Sequence, residues 1–431
     1  MASIPQTLGL RRSFGFGDRL GLATPGHIDA VRGTSFAPIF AQQSIREMTR
    51  TQRTPDDVMR SARAALEREG WNVPWGADAD HLQTREDVFR TAAAGFCYFT
   101  IDPSAHVNND ADNLRGKALD DAYGSLVKAG MVNRDEASDL YGSKTFDLDA
   151  GRVAFDDPSL LRRAVVKYGG ALAYTKKMGD WIADACGVAD ACGGAECCNG
   201  VAARGARPFE IEMSVDETRV PTSPLEHLFV ALELRRLGVK VVALAPRFVG
   251  DFEKGIDYKG DLALFEQHYK LHAEIASRFG PYKLSIHSGS DKFSIYPIIG
   301  RVSGERLHVK TAGTSYLEAL RVACRVDRPL LREIVAFCRG RYETDKATYH
   351  VSARLADVPE FLNDPDLERS YLDEPAGREI LHVTYGSVLS AGKMSDGAPL
   401  KEKILDVLTR NDALYREVLR IHLGKHLRLL G

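Results

Sequence analysis

The sequence predicts an α/β fold: a (β/α)8 TIM-type barrel with an inserted, largely helical region and a helical C-terminal extension. Three observations lead there. Eight short apolar runs end in polar residues, amphipathic helical stretches separate most of them, and two long helix-rich tracts interrupt the rhythm. Strands alternating with helices argue a parallel sheet covered by helices. Eight of them favour closure into a barrel, with an open doubly wound sheet as the alternative.

In chain order the runs are 15–24, 35–42, 74–80, 95–102, 209–215, 239–246, 282–287 and 306–311. Residues 54–70, 224–238 and 261–280 have a Leu/Ala-rich helical period and finish on Gly70, Gly238 and Gly280, a C-cap signature. The tract 103–208 is too long for a simple crossover and reads as the insert. Residues 326–431, including a long helix over 401–430, read as an extension packed on the barrel, so that 1–431 forms one barrel-based catalytic unit. Residues 183–205, rich in Ala, Gly and Cys, read as a loop.

A chain of 431 residues holds one large domain with additions or two ordinary ones. Its 57 basic and 59 acidic residues leave a formal charge of −2, with no Lys/Arg run, which argues against a nucleic-acid or membrane-surface partner. No run of apolar residues is long enough to span a membrane. The first residues lack a basic stretch followed by an apolar one, so no secretory signal is expected. Seven cysteines are too few for a disulfide scaffold, and an odd number leaves a free thiol; a reducing, cytoplasmic location fits best. Oligomeric state stays open, homo-oligomers included.

In a parallel barrel the working residues gather at the C-terminal ends of the strands. Here those ends carry Gln42, Gln43, Asp78, Asp80, His81, Asp102, Glu210, Glu212, Arg247, His287, Ser288, Lys310 and Thr311. Charged side chains there are costly to bury unless paired or bound to a ligand. The most informative run is Ile286-His287-Ser288-Gly289-Ser290-Asp291-Lys292. An apolar strand delivers His287 to the rim, and the small residues let backbone N–H groups approach an anion, with Lys292 adding charge. That reads as a metal ligand beside a carboxylate or phosphate cradle, against a histidine satisfied by backbone at an ordinary turn.

Glu210 and Glu212 share one strand face. Pointing inward they suit a divalent cation; pointing outward they would pair with Arg or Lys of the helix layer. Asp80 and His81 are site candidates, with helix capping by Asp80 as the alternative. His350 needs the extension to fold back over the barrel mouth and otherwise reads as a core histidine. Lys310 could form a Schiff base, stabilise an enolate or serve as a salt-bridge partner. Arg247 could grip a carboxylate or simply cap the barrel.

Two motifs are set aside. The glycines at 15, 17 and 21 approach the dinucleotide fingerprint, but the spacing is one residue too long and no strand precedes it. Cys186, Cys192, Cys197 and Cys198 do not have zinc-pair spacing.

Longer runs carry a resemblance. Ser214-Val215-Asp216-Glu217-Thr218, Ala245-Pro246-Arg247-Phe248-Val249-Gly250, Phe252-Glu253-Lys254-Gly255, residues 287–299 and 308–317, and Tyr349-His350-Val351-Ser352 are similar to the tagaturonate/fructuronate epimerase family. So are residues 13–27, 76–84 and 382–389. The resemblance implies a metal-requiring enzyme inverting C4 of a hexuronic keto acid in bacterial uronate catabolism, with no claim on the Cys-rich loop.

The C4 proton of a 2-keto sugar acid lies β to the ketone and is not acidic, so retro-aldol opening of C3–C4 and re-addition is the expected route. A divalent cation (Zn, Mn, Co or Ni) would carry the enediolate charge. By strand-end position and residue type, the expected ligands are His81, Glu212, His287 and His350. The expected acid/base and charge groups are Asp102, Glu210 and Lys310. The keto sugar acid would be held by Gln43, Asp80, Arg247, Ser288, Gly289, Ser290, Lys292 and Thr311. A class II-type aldolase and a non-catalytic sugar-binding protein are the alternatives.

Overall fold

Eight parallel strands close into a barrel in the computed structural model, which describes residues 4–134, 136–188, 206–360 and 363–431. The strands are β1 (Ser13–Gly17), β2 (Ala37–Ser44), β3 (Gly76–Leu82), β4 (Tyr98–Ile101), β7 (Glu210–Val215), β8 (Ala243–Pro246), β9 (Lys283–Ile286) and β10 (Leu307–Thr311). Each pairs with the next in that order, and β10 returns to β1 through Ser13↔His308 to Phe16↔Thr311. All are buried along nearly their whole length, as a helix-covered parallel sheet requires. Closure rules out the open-sheet alternative.

Two boundaries differ from expectation for local reasons. The first strand was expected over 15–24 but ends at Gly17, because the Asp18 carboxylate accepts the N–H groups of Leu20, Gly21 and Ala23 at 3.1, 2.7 and 2.9 Å. That turn starts the helix Thr24–Val31. The long helix over 401–430 is two, Leu400–Arg410 and Asp412–Leu430, broken at Asn411. Of the three expected glycine caps, Gly70 and Gly238 take left-handed backbone (φ +62° and +69°), whereas Gly280 does not (φ −79°).

Between β4 and β7 lie the helices Gly116–Lys128, Glu136–Tyr141 and Pro158–Ala185, together with a hairpin, β5 (Thr145–Leu148) and β6 (Gly151–Ala154), that the helical expectation lacked. The long helix Pro158–Ala185 packs between Arg85–Ala93 and Pro224–Arg236, so it fills the crossover place after β4. Lys167 pins it, 2.9 Å from Asp112 and 2.8 Å from Glu226. Of the Cys-rich loop, Cys186 is a buried free thiol; Cys192, Cys197 and Cys198 lie outside the described residues. Among the described residues no helix is long and apolar enough to cross a membrane.

The barrel interior is polar, unlike the aliphatic filling usual for this fold. Along β7 the side chains of Glu210, Glu212 and Ser214 point inward, while Ile211, Met213 and Val215 join the apolar layer under the helices. At the floor, Lys283 donates to Ser13 Oγ (3.0 Å), Ser13 Oγ contacts His308 Nδ1 (3.0 Å), and the N–H of Gly9 donates to Glu210. The floor is therefore closed by a hydrogen-bonded layer.

Candidate active site

Lys310, on β10, is the hub of the next layer up. Its Nζ lies 2.8 Å from Asp78 Oδ2, 2.8 Å from Asp80 Oδ1 and 3.0 Å from Glu212 Oε1, and it donates to Thr100 Oγ1 at 2.5 Å. Thr100 passes a hydrogen bond to Asp78 (2.9 Å), and the Tyr98 hydroxyl donates to Glu212 at 2.6 Å. Strands β3, β4, β7 and β10 thus meet through one buried ammonium. Burial alone would lower the Lys310 pKa, but the three carboxylates override it and raise it. Three carboxylates around the ammonium favour the salt-bridge alternative for Lys310 over the Schiff-base one. Lys310 is a fixed positive charge.

Above the hub, ligand atoms of His81, Asp216 and His287 all lie within 4.8 Å of one another. His81 comes from the end of β3; Asp216 and His287 directly follow β7 and β9. His287 places Nε2 2.6 Å from Glu212 Oε1 and Nδ1 3.3 Å from Asp216 Oδ1. His81 Nδ1 sits 2.9 Å from Asp80 Oδ1, and Ser214 Oγ donates to Asp216. His81 and Ser288 adopt left-handed backbone (φ +55° and +51°), a conformation that non-glycine residues hold only when their surroundings impose it.

Four carboxylates (Asp78, Asp80, Glu212 and Asp216) thus face one lysine and two imidazoles. Burial disfavours a charged imidazole, yet Asp216 and Glu212 pull His287 up to about 10, and Asp80 pulls His81 up to about 9. Burial also pushes the Asp78 carboxyl up, to about 7, against the attraction of Lys310. Surroundings that favour positive charge this strongly also favour a divalent cation. Two imidazoles and a carboxylate, with Glu212 in contact, are a donor set that such an ion accepts. The residues fit the metal that the family resemblance implies.

A cleft of about 290 Å³ opens beside the cluster, lined by Arg46, Asp216, Arg247, Lys254, His287 and Tyr349 among others. A narrower recess continues down to Gln42, Asp80, His81, Ser288, Ser290 and Lys310. The structure therefore brings together Asp80, His81, Glu212, His287, Ser288, Ser290 and Lys310, with Arg247 on the outer wall.

Six expected residues stand elsewhere. Glu210 points inward but at the barrel floor, at the opposite end from the rim. Asp102 is occupied by Gln83 (2.7 Å) and the N–H of Ser104 (3.0 Å) in the turn after β4. Gln43 alternates away from the recess and accepts from Arg53 at 3.3 Å, leaving Gln42 to face it. Thr311 donates to Gly15 O at 2.8 Å. Lys292 is fully buried and donates to the carbonyls of Glu253, Ile256 and Ser290, so it is no carboxylate clamp. His350 is 68% exposed and contacts Asp251 at the cleft's outer edge, away from the cluster.

Gly289 lets its loop lie close against strand β10 rather than cradling an anion. Its N–H donates to Lys310 O (3.1 Å), and a Cβ there would press into Val309 and the Ile286 and Lys310 carbonyls.

Sequence reasoning missed Asp216, Lys254 and Arg46 as site residues. The alternation 210, 212, 214 extended by one more step reaches Asp216, so a signal existed. Lys254 lies in the loop after β8, where no periodicity points to it.

A second Asp/His group, Asp291, His422 and His426, underlies the loop after His287. Its ligand atoms are already engaged. Asp291 (φ +63°) meets His422 Nε2 at 2.5 Å and Arg378 at 2.9 Å, and its N–H donates to His426 Nε2 at 3.0 Å. Arg378 also donates to Gly255 O at 2.7 Å, beside Lys254. This is an ion-pair buttress by which the C-terminal extension fixes the rim loops.

A parallel barrel with its titratable groups gathered at the C-terminal strand ends has the build of a barrel enzyme. A family profile described as tagaturonate epimerase matches residues 2–190 and 194–430, so the chain belongs to the tagaturonate epimerase family and is an isomerase. It is 42% identical over 428 residues to the tagaturonate/fructuronate epimerase of Thermotoga maritima, covering 99% of this chain and 82% of that one. The native crystal structure of the Cohnella laeviribosi fructuronate-tagaturonate epimerase superposes with a TM-score of 0.88 at 38% identity, over 99% of this chain and 83% of that one. A glycerol complex of the same enzyme gives 0.89 at 38% identity, with the same coverage.

Proposed function

We propose that the protein interconverts D-tagaturonate and D-fructuronate by inverting C4, through retro-aldol opening and re-closure of the C3–C4 bond, with a divalent cation at His81, Asp216 and His287. The observation that carries this is the placement of two imidazoles and a carboxylate directly above a buried ammonium, at the open end of the barrel. Relatives matched over 99% of this chain and named for tagaturonate and fructuronate support the substrate pair.

Asp80, facing the recess beside Lys310, takes the C4 hydroxyl proton. The C4–O bond becomes a carbonyl, and the C3–C4 electron pair moves into a C2–C3 enediolate. Turning the aldehyde and closing the bond on its other face inverts C4, and Asp80 returns the proton. The cation, when bound, supplies Lewis-acid stabilisation of the negative charge on the substrate oxygens. Lys310 contributes a second, fixed positive charge from below, and Glu212 orients His287 through their 2.6 Å contact.

Metal analysis of the purified protein, with C4 epimerisation assayed before and after chelation, tests the reading. Stoichiometric metal is expected, with activity lost on chelation and restored by Zn, Mn, Co or Ni. Full epimerisation by chelated, metal-free protein would overturn it.

A further inference from the structure

The cup is electrically lopsided. The carboxylates Asp78, Asp80, Glu212 and Asp216 are already shared among Lys310, His81 and His287, so the cations of that group are spoken for. The same cleft is also lined by Lys254 and Arg46. Lys254 differs from the other recessed lysines near the rim; Lys283, which also has a hydroxyl partner, lies at the barrel floor and does not line the cleft. Lys167 has two carboxylates, Lys310 three, and Lys292 three backbone carbonyls. Among the described residues Lys254 makes no ion pair; its Nζ donates at 2.5 Å to the hydroxyl of Ser288, next to His287. Burial accordingly lowers its pKa. Arg46 is held only loosely, 3.5 Å from Glu217. A recessed ammonium with one neutral partner and a loosely held guanidinium, side by side on a cleft wall, are short of an anion.

We infer that Lys254, seconded by Arg46, anchors the C6 carboxylate of the substrate, and that this anchor retains the acid fragment while the C3–C4 bond is open. The inference rests on the reading under Proposed function. Opening C3–C4 of a six-carbon 2-keto acid leaves two three-carbon pieces. One is the enediolate of dihydroxyacetone; the other is 2-hydroxy-3-oxopropanoate, whose aldehyde is C4 and whose carboxylate is C6. With the carboxylate fixed at Lys254, rotation about C4–C5 presents the other face of the aldehyde to C3. The same electron pair then re-forms the bond. Inversion therefore needs a swivel with one end pinned, and a fragment that is not pinned diffuses away, which is the outcome of an aldolase.

The test uses full-length, metal-loaded protein with tagaturonate as substrate, comparing wild type, Lys254→Met, Arg46→Met and Lys254→Arg. Initial rates give kcat and KM, and a carbonyl-trapping reagent reports released dihydroxyacetone and 2-hydroxy-3-oxopropanoate. Lys254→Met should raise KM roughly 10–100-fold, as expected for loss of one charge-assisted hydrogen bond. It should also release both fragments in step with residual turnover, while metal content and Tm stay at wild-type values. Lys254→Arg should recover most of the KM, and Arg46→Met should show a smaller rise. An unchanged KM in Lys254→Met, or a raised KM with no fragment released, overturns the inference. A wild-type enzyme that does not epimerise tagaturonate overturns the underlying reading instead.

Discussion

At the residue scale, Lys310 decides the most. Three carboxylates depend on it, so Lys310→Met would leave Asp78, Asp80 and Glu212 buried without their shared counter-ion. Breaking a buried ion cluster in this way costs about 3–5 kcal/mol. The expected result is an unfolding free energy, measured by urea titration, lowered by that amount, with activity gone. His287→Ala should separate the two effects: metal retention and epimerisation lost, far-UV circular dichroism unchanged. An active His287→Ala protein with full metal content would remove His287 from the ligand set. That Glu210 and Glu212 share one face was legible, because side chains alternate along a strand; whether that face looks into the lumen or toward the helices was not. Height along the barrel axis was not, and for that reason Glu210, two residues earlier, sits at the floor instead of the rim. His350 was placed by residue type, which carries no direction for a side chain on a segment crossing the mouth.

At the scale of elements, the eight strands were readable as apolar runs, and their ends slipped where a single side chain intervened, as Asp18 does after β1. The hairpin β5–β6 escaped because its strands are four residues each and largely exposed, and only Thr145–Leu148 alternates, over too short a run to stand out. The helix Asp412–Leu430 shows how closely its elements are fitted. It runs against Thr24–Val31 and Tyr296–Ser303, and a Cβ on Gly300 would strike the carbonyl of Leu430. Gly300→Ala should therefore push that helix off its seat, costing about 1–3 kcal/mol as overpacking does. Because His422 and His426 ride on the same helix, epimerase activity should fall faster on warming than in the wild type. Unfolding melts paired with activity measured over the same temperatures check this.

At the scale of the whole molecule, one pair of carboxyls makes stability depend on pH between about 4.5 and about 8. Glu253 and Glu379 share a hydrogen bond where the loop after β8 meets the helix Pro375–Val383 and the segment around Ser352. Burial and Glu253 push Glu379 up to about 8. Glu253 is held down to about 2, despite its burial, by Glu379, Lys259 and Ser352. The native state then keeps on Glu379 a proton that the unfolded chain releases at its ordinary value of 4.5. Between those two values N binds more protons than U, so this stabilisation is complete below the unfolded pKa and declines as pH rises through about 8. Denaturant unfolding at pH about 6 and about 9 should show the loss, and Glu379→Gln should flatten it. A slope unchanged in Glu379→Gln would assign the dependence to other groups.

The buttress beneath the loop after His287 also has a consequence in time. Arg378, His422 and His426, which clamp Asp291, are translated after all eight strands, and His426 emerges more than a hundred residues behind the last of them. A nascent chain can thus close its sheet on the ribosome while the loop behind His287 still lacks its clamp. The loop behind His287 therefore takes its final support from a helix that lies after the whole sheet in chain order.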